Sequence, residues 1–388
     1  MVKYHSLRDK VFNVQNLYAA FNHVKKNKGA AGLDRVSIQQ FESDLDKNIQ
    51  NIHKELKTDV YKPSPVLRVY IPKGRHEKRP LGIPIVKDRV VQQAFRQIIE
   101  PIFEKDFSDN SFGFRPKRCC HDAIKRLEQY KKEGYIKVVD ADIQAFYDTI
   151  PQKLILDRLR EKISDGWVLN SIDNMLKAGV MEEGILHKTT KGTPQGGVIS
   201  PLLANLVGDN IDKELEKAGY KFVRYADDFV VMTKTSEELP VALAFVKEIV
   251  EGKLGMKLSE DKTKLTDFKR GFRFLGYTFK GKHKGISRKS MDKLKDTIRV
   301  VTRRTQGVNL KAVIGNVNPV IRGHVNYFRL GDVRTVYHAL DMWVRRRLRC
   351  FKFSRKWQTD NRRFPNHRFF KMGLLSFERE FLKKCAGT

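Results

Sequence analysis

Two aspartates stand side by side in Tyr225-Ala226-Asp227-Asp228, between the β-prone runs Phe222-Val223 and Phe229-Val230-Val231-Met232. The pattern predicts a tight hairpin with both acids at its tip. Adjacent carboxylates repel, so such a tip costs stability unless cations or donors compensate. Standing alone, an Asp-Asp pair is more often a solvated turn. A second run, Val138-Val139-Asp140-Ala141-Asp142-Ile143-Gln144-Ala145-Phe146-Tyr147-Asp148, supplies further acids at the end of another apolar strand. Asp140 and Asp142 share a face of that strand. Oxygen-only donors of this kind suit magnesium, which prefers carboxylates and keeps water and phosphate ligands. Two such ions roughly 4 Å apart would activate a hydroxyl and neutralise a leaving pyrophosphate during in-line phosphoryl transfer. Asp227 ranks above Asp228, because neighbouring strand residues face opposite ways and only a turn brings both acids to one site. For Asp140 and Asp148, a metal role and a structural role at a strand end and a helix start weigh equally.

These acids need a small sheet to hold them. The apolar stretches 136 to 142, 222 to 225 and 229 to 232 read as its strands, with a helix around 240 to 253. Ser200 and Pro201 predict an N-cap and first-turn proline for a helix whose buried face is Leu202, Leu203, Leu206, Ile211 and Leu215, ended by Gly219. Upstream, residues 61 to 84 alternate short extended pieces with prolines and read as a basic β-hairpin. Asp88 is placed to cap the next helix, and Glu100-Pro101 to interrupt it. Leu17, Ala20, Phe21 and Val24 recur at helical spacing before the glycine-rich loop Asn27-Lys28-Gly29-Ala30-Ala31-Gly32-Leu33-Asp34. From about 284 the sheet signals vanish. Three basic helices follow, with stripes Met291, Leu294, Ile298, Val301; Leu310, Ile314, Val317, Ile321; and Val336, Leu340, Trp343.

The 388 residues exceed one ordinary core and predict two or three packed regions. A formal net charge of +31 points to a polyanionic partner, with nucleic acid first. No apolar stretch approaches the ~18 residues of a membrane span, and Met1-Val2-Lys3-Tyr4-His5 lacks a signal-peptide core. Cys119, Cys120, Cys350 and Cys385 have no paired CxxC spacing, and the vicinal pair cannot make an ordinary unstrained bridge. The reading is a reduced, cytoplasmic protein with no structural zinc and no membrane partner.

Taken in order, the motifs resemble those of bacterial group II intron reverse transcriptases and their free-standing relatives. They are Asn27-Lys28-Gly29-Ala30-Ala31-Gly32, Ile71-Pro72-Lys73, Arg79-Pro80-Leu81-Gly82-Ile83-Pro84, Asp88-Arg89-Val90-Val91-Gln92 and Ser111-Phe112-Gly113-Phe114-Arg115-Pro116. The series continues through Asp142 to Asp148, Gly192-Thr193-Pro194-Gln195-Gly196-Gly197, Ser200-Pro201-Leu202-Leu203-Ala204-Asn205, Tyr225 to Asp228, Phe274-Leu275-Gly276 and Ile321-Arg322-Gly323-His324-Val325-Asn326-Tyr327-Phe328. The resemblance covers roughly residues 15 to 350. It implies an α+β right-hand polymerase: fingers, a palm of small antiparallel sheet backed by helices, and a helical thumb. The divisions are an N-terminal extension over 1–60, interleaved fingers and palm over 61–283, a maturase-like thumb over 284–360, and a short basic tail over 361–388.

The implied activity is RNA-directed DNA polymerisation, extending the 3′-hydroxyl of a DNA or RNA primer with dNTPs on an RNA template. The implied cofactors are two Mg2+ ions, with Mn2+ as a substitute, held by Asp142, Asp227, Asp228 and the backbone carbonyl of Ile143. Tyr147 is implied as the steric gate against a 2′-hydroxyl; many relatives carry Phe there. Lys73 and Arg79 are implied to grip the triphosphate, a choice the residues alone do not make over Arg75 and Lys78. Gln195 resembles the residue framing the nucleotide, and Lys262 the lysine near the pyrophosphate, a candidate general acid. Arg115, Arg322, Arg345, Arg346 and Arg349 are candidate nucleic-acid contacts, an exposed charged face explaining some thumb arginines equally well. The tail leaves no room for the HNH endonuclease that full intron proteins often append. Two other readings stand beside the polymerase. One is a maturase acting mainly as an RNA-binding splicing cofactor for a cognate group II intron or other structured RNA. The other is a free-standing reverse transcriptase recruited to host defence or repair.

Overall fold

The computed structural model describes residues 3–72, 78–354 and 360–386. The chain divides into two compact units, Met1–Leu265 and Thr266–Thr388. In the first unit the strands are β1 (Val66–Pro72), β2 (Lys78–Ile83), β3 (Lys137–Asp142), β4 (Val180–Glu182), β5 (Ile185–His187), β6 (Lys221–Tyr225) and β7 (Asp228–Thr233); β8 (Lys264–Asp267) carries the chain across the division. They form two sheets, ordered β2-β1-β4-β5 and β6-β7-β3-β8.

The second sheet carries the acids. β3 runs antiparallel to β7 from Lys137↔Thr233 to Asp142↔Asp228, and β6 pairs with β7 up to Tyr225↔Asp228. Val138, Val139 and Ala141, with Phe222, Val223 and the run Phe229 to Met232, are all buried. Consecutive burial along a strand means that both faces of the sheet are covered. The helix Ser200–Lys217 supplies one cover through Leu202, Leu203, Leu206, Ile211 and Leu215. The helix Glu238–Lys247 packs on β3 and β7, and Cys120–Lys132 packs on β6.

Several local expectations change for identifiable reasons. The helix Val86–Glu104 begins before Asp88, whose carboxylate is buried and accepts hydrogen bonds from Tyr61 Oη (2.7 Å) and Ser64 N–H (2.9 Å) instead of capping. That helix also runs through Pro101, its apolar face held by the core strongly enough to absorb the lost hydrogen bond. Ser200 is the first helical residue and accepts a hydrogen bond from Thr193 Oγ1 (2.8 Å), with Ile199 as the cap. Pro201 sits in the first turn, as the sequence predicts. Arg89 ties the glycine-rich loop to this region, donating to Pro84 O (2.8 Å) and to Ala30 O.

The second unit holds β9 (Phe272–Phe274), β10 (Tyr277–Lys280) and β11 (His283–Ile286), ordered β11-β10-β9, and helices Arg288–Val301, Leu310–Tyr327, Arg334–Lys352, Asn366–Lys371 and Phe377–Ala386. This small sheet lies with the helices rather than with the preceding strands, so the division falls before the sequence boundary at 284. Tyr327 Oη donates to Leu275 O (2.9 Å) and Ser290 Oγ to Gly276 O (3.2 Å). The C-terminal helix docks through Asp341, which accepts from Ser376 Oγ (2.6 Å) and Phe377 N–H (2.8 Å). The buried face of Arg334–Lys352 is Tyr337, Leu340, Val344 and Leu348, while Val336 is 39% exposed, one position off the predicted stripe. Among the described residues no helix is long and apolar enough to cross a membrane.

Candidate active site

The β6–β7 hairpin turns through Ala226 and Asp227 alone. Ala226 has φ of 60° and Asp227 is not among the positive-φ residues, the pattern of a type II′ turn that matches strand twist. The turn takes Asp227 out of the pleat while Asp228 stays on β7, directly across from Asp142 on β3. Both hairpin acids are half-buried. The register therefore gives Asp228 the closer strand relation to Asp142, although the sequence reading ranked Asp227 higher.

Like charges placed opposite each other cost stability, and the structure supplies a cation. Lys262 Nζ donates to Asp142 Oδ1 at 2.9 Å. Its segment is laid against the end of β3 by two backbone bonds, Ser259 N–H to Asp142 O (2.8 Å) and Gln144 N–H to Lys257 O (2.9 Å). These flank the Ile143↔Leu258 bridge and leave the Ile143 carbonyl outside the pairing. Among the described residues no three acidic, histidine or thiol groups converge to hold a metal ion by themselves. The donor set is still all oxygen, and a hard cation such as magnesium is ordinarily completed by water and substrate oxygens.

Tyr147 lies just beyond β3, in the short helix Phe146–Thr149 that follows the left-handed Ala145. Burial, then the charge of Asp227, pushes its phenol pKa upward, while Arg224 and Arg79 act the other way. The ring is thus a neutral group within electrostatic reach of both the hairpin acid and Arg79. Arg79 is exposed on β2, paired with Ile71. Lys73 lies outside the described residues.

The Gly192–Gly197 loop links these parts. Thr193 N–H donates to Tyr147 O (2.8 Å) and Gly82 N–H to Gln195 O (2.6 Å), so one loop holds both the Tyr147 backbone and β2. Gly196 has φ of 112°, and a Cβ there would stand 2.3 Å from Gly82 O. Only glycine fits such an approach.

Sequence reasoning missed the group that holds the hairpin. Arg224, 1% exposed, donates through Nε and Nη2 to both oxygens of Asp212 (2.7 and 2.5 Å), and through Nη1 to Asn205 Oδ1 (3.1 Å) and Ala226 O (3.0 Å). Burial opposes its charge, but Asp212 more than offsets this and holds the guanidinium pKa above its ordinary value. Asn205 Nδ2 in turn donates to Gly113 O (2.8 Å), and a Cβ on Gly113 would meet Ala226 N at 2.4 Å. An arginine inside an apolar strand and an aspartate between Ile211 and Leu215 were the available signals.

Two candidate nucleic-acid contacts are corrected. Arg115 is buried, its guanidinium bound to Glu104 Oε1 (2.9 Å), Glu104 O (3.1 Å) and Ser111 O (2.8 Å). Arg349 is buried, donating to Phe364 O (2.8 Å) and Asn366 Oδ1 (2.6 Å). Both are internal clamps. Arg322 is exposed, and Arg345 and Arg346 are half-buried.

Comparison with known proteins bears on this arrangement. The family profile described as "Reverse transcriptase (RNA-dependent DNA polymerase)" matches residues 71–279. "Group II intron, maturase-specific domain" matches residues 291–370. The chain is 33% identical to protein YkfC of Escherichia coli (strain K12) over 291 residues, covering 65% of this chain and 76% of that protein. It is 32% identical to the group II intron-encoded protein LtrA of Lactococcus lactis subsp. cremoris over 343 residues, 70% of this chain but only 56% of LtrA. A telomerase structure from Candida albicans, with a fragment of telomeric RNA, is similar at a TM-score of 0.48 and 14% identity, covering 80% of this chain and 63% of that one. That likeness is too loose to carry function.

Proposed function

The chain belongs to the reverse transcriptases that carry a group II intron maturase-specific domain, and we propose that its acidic hairpin and β3 form the centre at which an RNA-templated primer is extended with dNTPs. The observation that carries this reading is the register Asp142↔Asp228, with Asp227 on the adjoining turn and Tyr147 within its electrostatic reach. Reverse transcriptases work with divalent metal ions; here the proposed holders are Asp142, Asp227, Asp228 and the Ile143 carbonyl, for two Mg2+. Such ions, when bound, lower the pKa of the primer hydroxyl and neutralise charge on the leaving pyrophosphate.

The chain's own groups do the rest. Arg79, with Lys73, binds the triphosphate, the arginine by a forked contact. Tyr147 closes the space beneath the sugar at C2′, and the Gln195 segment, bonded to Gly82, frames the nucleotide. Lys262 balances Asp142 before substrate arrives and is then free to move toward pyrophosphate as a proton donor. Primer extension on an RNA template by the purified chain tests this: DNA synthesis from dNTPs is expected, and its loss in Asp142→Ala. Undiminished synthesis by Asp142→Ala removes that residue from the centre.

A second reading is favoured by the maturase-specific match over 291–370. The exposed Arg322, with Arg345 and Arg346, would contact the backbone of an intron or another structured RNA, so that binding survives loss of the carboxylates. Splicing supported by an Asp227→Ala protein separates the two roles.

A further inference from the structure

We propose that Arg224 is a positioning residue: clamped by Asp212, it fixes the peptide between Ala226 and Asp227 and thereby sets the cation affinity of the hairpin. The proposal rests on the reading of Asp227 as a metal-holding carboxylate. Its geometric core is the hydrogen bond from Arg224 Nη1 to Ala226 O at 3.0 Å. That carbonyl belongs to the peptide plane whose other end is the Asp227 N–H, so holding it fixes the direction from which the Asp227 side chain leaves the backbone.

A flexible basic side chain could not do this. Arg224 is immobilised on all sides: Asp212, itself 0% exposed, takes Nε and Nη2. Asn205 Oδ1 shares Nη1. Gly208 leaves just enough space, since a Cβ there would stand 2.6 Å from Nη1. The main chain of Arg224 is also held, its N–H donating to Asn110 O and its carbonyl accepting from Phe112 N–H, each at 2.9 Å. The strand, the helix Ser200–Lys217 and the segment through Gly113 therefore converge on one turn carbonyl.

A buried ion pair is a poor source of net stability compared with apolar packing. Its distinctive property is geometric, because a forked guanidinium has fixed donor directions that an ammonium lacks. Outer groups that orient metal ligands alter metal affinity by about 10–100-fold when lost. A purely structural clamp would lower stability while leaving each folded molecule's cation affinity and turnover as before.

The test uses the full chain bound to an RNA template and a dideoxy-terminated primer, with Mn2+ titrated by electron paramagnetic resonance. Arg224→Lys is expected to weaken Mn2+ binding about tenfold or more. On an extendable primer the turnover per active site should fall, with the dNTP KM within roughly twofold of wild type, since the triphosphate contacts are untouched. Folded Arg224→Lys protein with wild-type Mn2+ affinity and turnover overturns the proposal. Should that variant fail to fold, Asn205→Ala decides: it keeps the Asp212 pair but removes the second acceptor of Nη1 and the tie to Gly113, which loosens the hold on Ala226 O. Weaker Mn2+ binding by Asn205→Ala supports the clamp, and unchanged binding and turnover refute it. If wild type binds Mn2+ in an Asp227-dependent way that Arg224→Lys weakens, yet extends no primer, the polymerase reading fails and the positioning role stands.

Discussion

Acidification should weaken the second unit through a single histidine. His324, in the last turn of the helix Leu310–Tyr327, packs its ring against Phe328, Tyr337 and Phe377. Its Nε2 is buried without a partner among the described residues. Desolvation lowers its pKa from the ordinary 6.5 to about 4. Between those values the unfolded chain binds a proton that the folded chain refuses, so stability falls as pH drops through the window and is fully present above it. The loss amounts to roughly 2 kcal/mol between pH 7 and pH 5 and about 3 kcal/mol at pH 4. His324→Phe keeps the aromatic packing and removes the titration. Urea unfolding at pH 7 and pH 5, followed by pulse proteolysis and mass spectrometry of peptides from Leu310–Tyr327, reads the difference. Carboxylates titrate in the same range but are common to both proteins, so the wild type should lose about 2 kcal/mol more than His324→Phe. Equal pH slopes in the two proteins would refute the argument.

Further outcomes follow from the site. Tyr147→Ala should admit ribonucleotides, lowering the dNTP over rNTP preference by at least about tenfold in single-nucleotide incorporation; unchanged sugar selection removes Tyr147 from the gate. Arg115→Ala should cost about 3–5 kcal/mol in urea unfolding because it strands the Glu104 carboxylate and the carbonyls of Glu104, Ser108 and Ser111, with RNA affinity of the folded protein unaltered. Arg322→Ala should do the reverse, leaving stability intact and reducing the salt slope of RNA binding by about 1. Gly196→Ala, strained at φ of 112° and crowded against Gly82 O, should lower kcat/KM for dNTPs by at least about tenfold; wild-type kinetics would show that the loop does not hold the nucleotide.

The strands that bear the acids were legible because covered sheet writes itself as consecutive apolar residues: β3, β6 and β7 appear within a residue or two of where Val138–Val139, Phe222–Val223 and Phe229 to Met232 put them. The hairpin over 61 to 84 was readable from short extended pieces alternating with prolines, and the three long helices of the second unit from apolar stripes at helical spacing. What escaped were choices between partners far apart in sequence. Asp88 looks like a cap until Tyr61 and Ser64 are folded against it. Arg115 and Arg349 carry the same charge as a phosphate contact, and only burial separates an internal clamp from a binding residue. Arg224 is the extreme case, since its partners Asp212 and Asn205 lie on a different element. The expected boundary at 284 falls between the two family matches, 71–279 and 291–370, while the compact units divide earlier, before Thr266, because β9 to β11 pack with the helices that follow them. Lys73 falls outside the described residues, so its role at the triphosphate rests on the resemblance alone.

The central claim is that Asp227 belongs to a carboxylate centre for nucleotide addition and is not a solvated turn. Single-turnover addition of one dNTP to a primer on an RNA template, comparing wild type with Asp227→Ala at equal primer–template occupancy, tests it most directly. The account predicts that Asp227→Ala folds, binds primer–template as wild type does, and adds no nucleotide. Addition by that variant at a rate near wild type would contradict it.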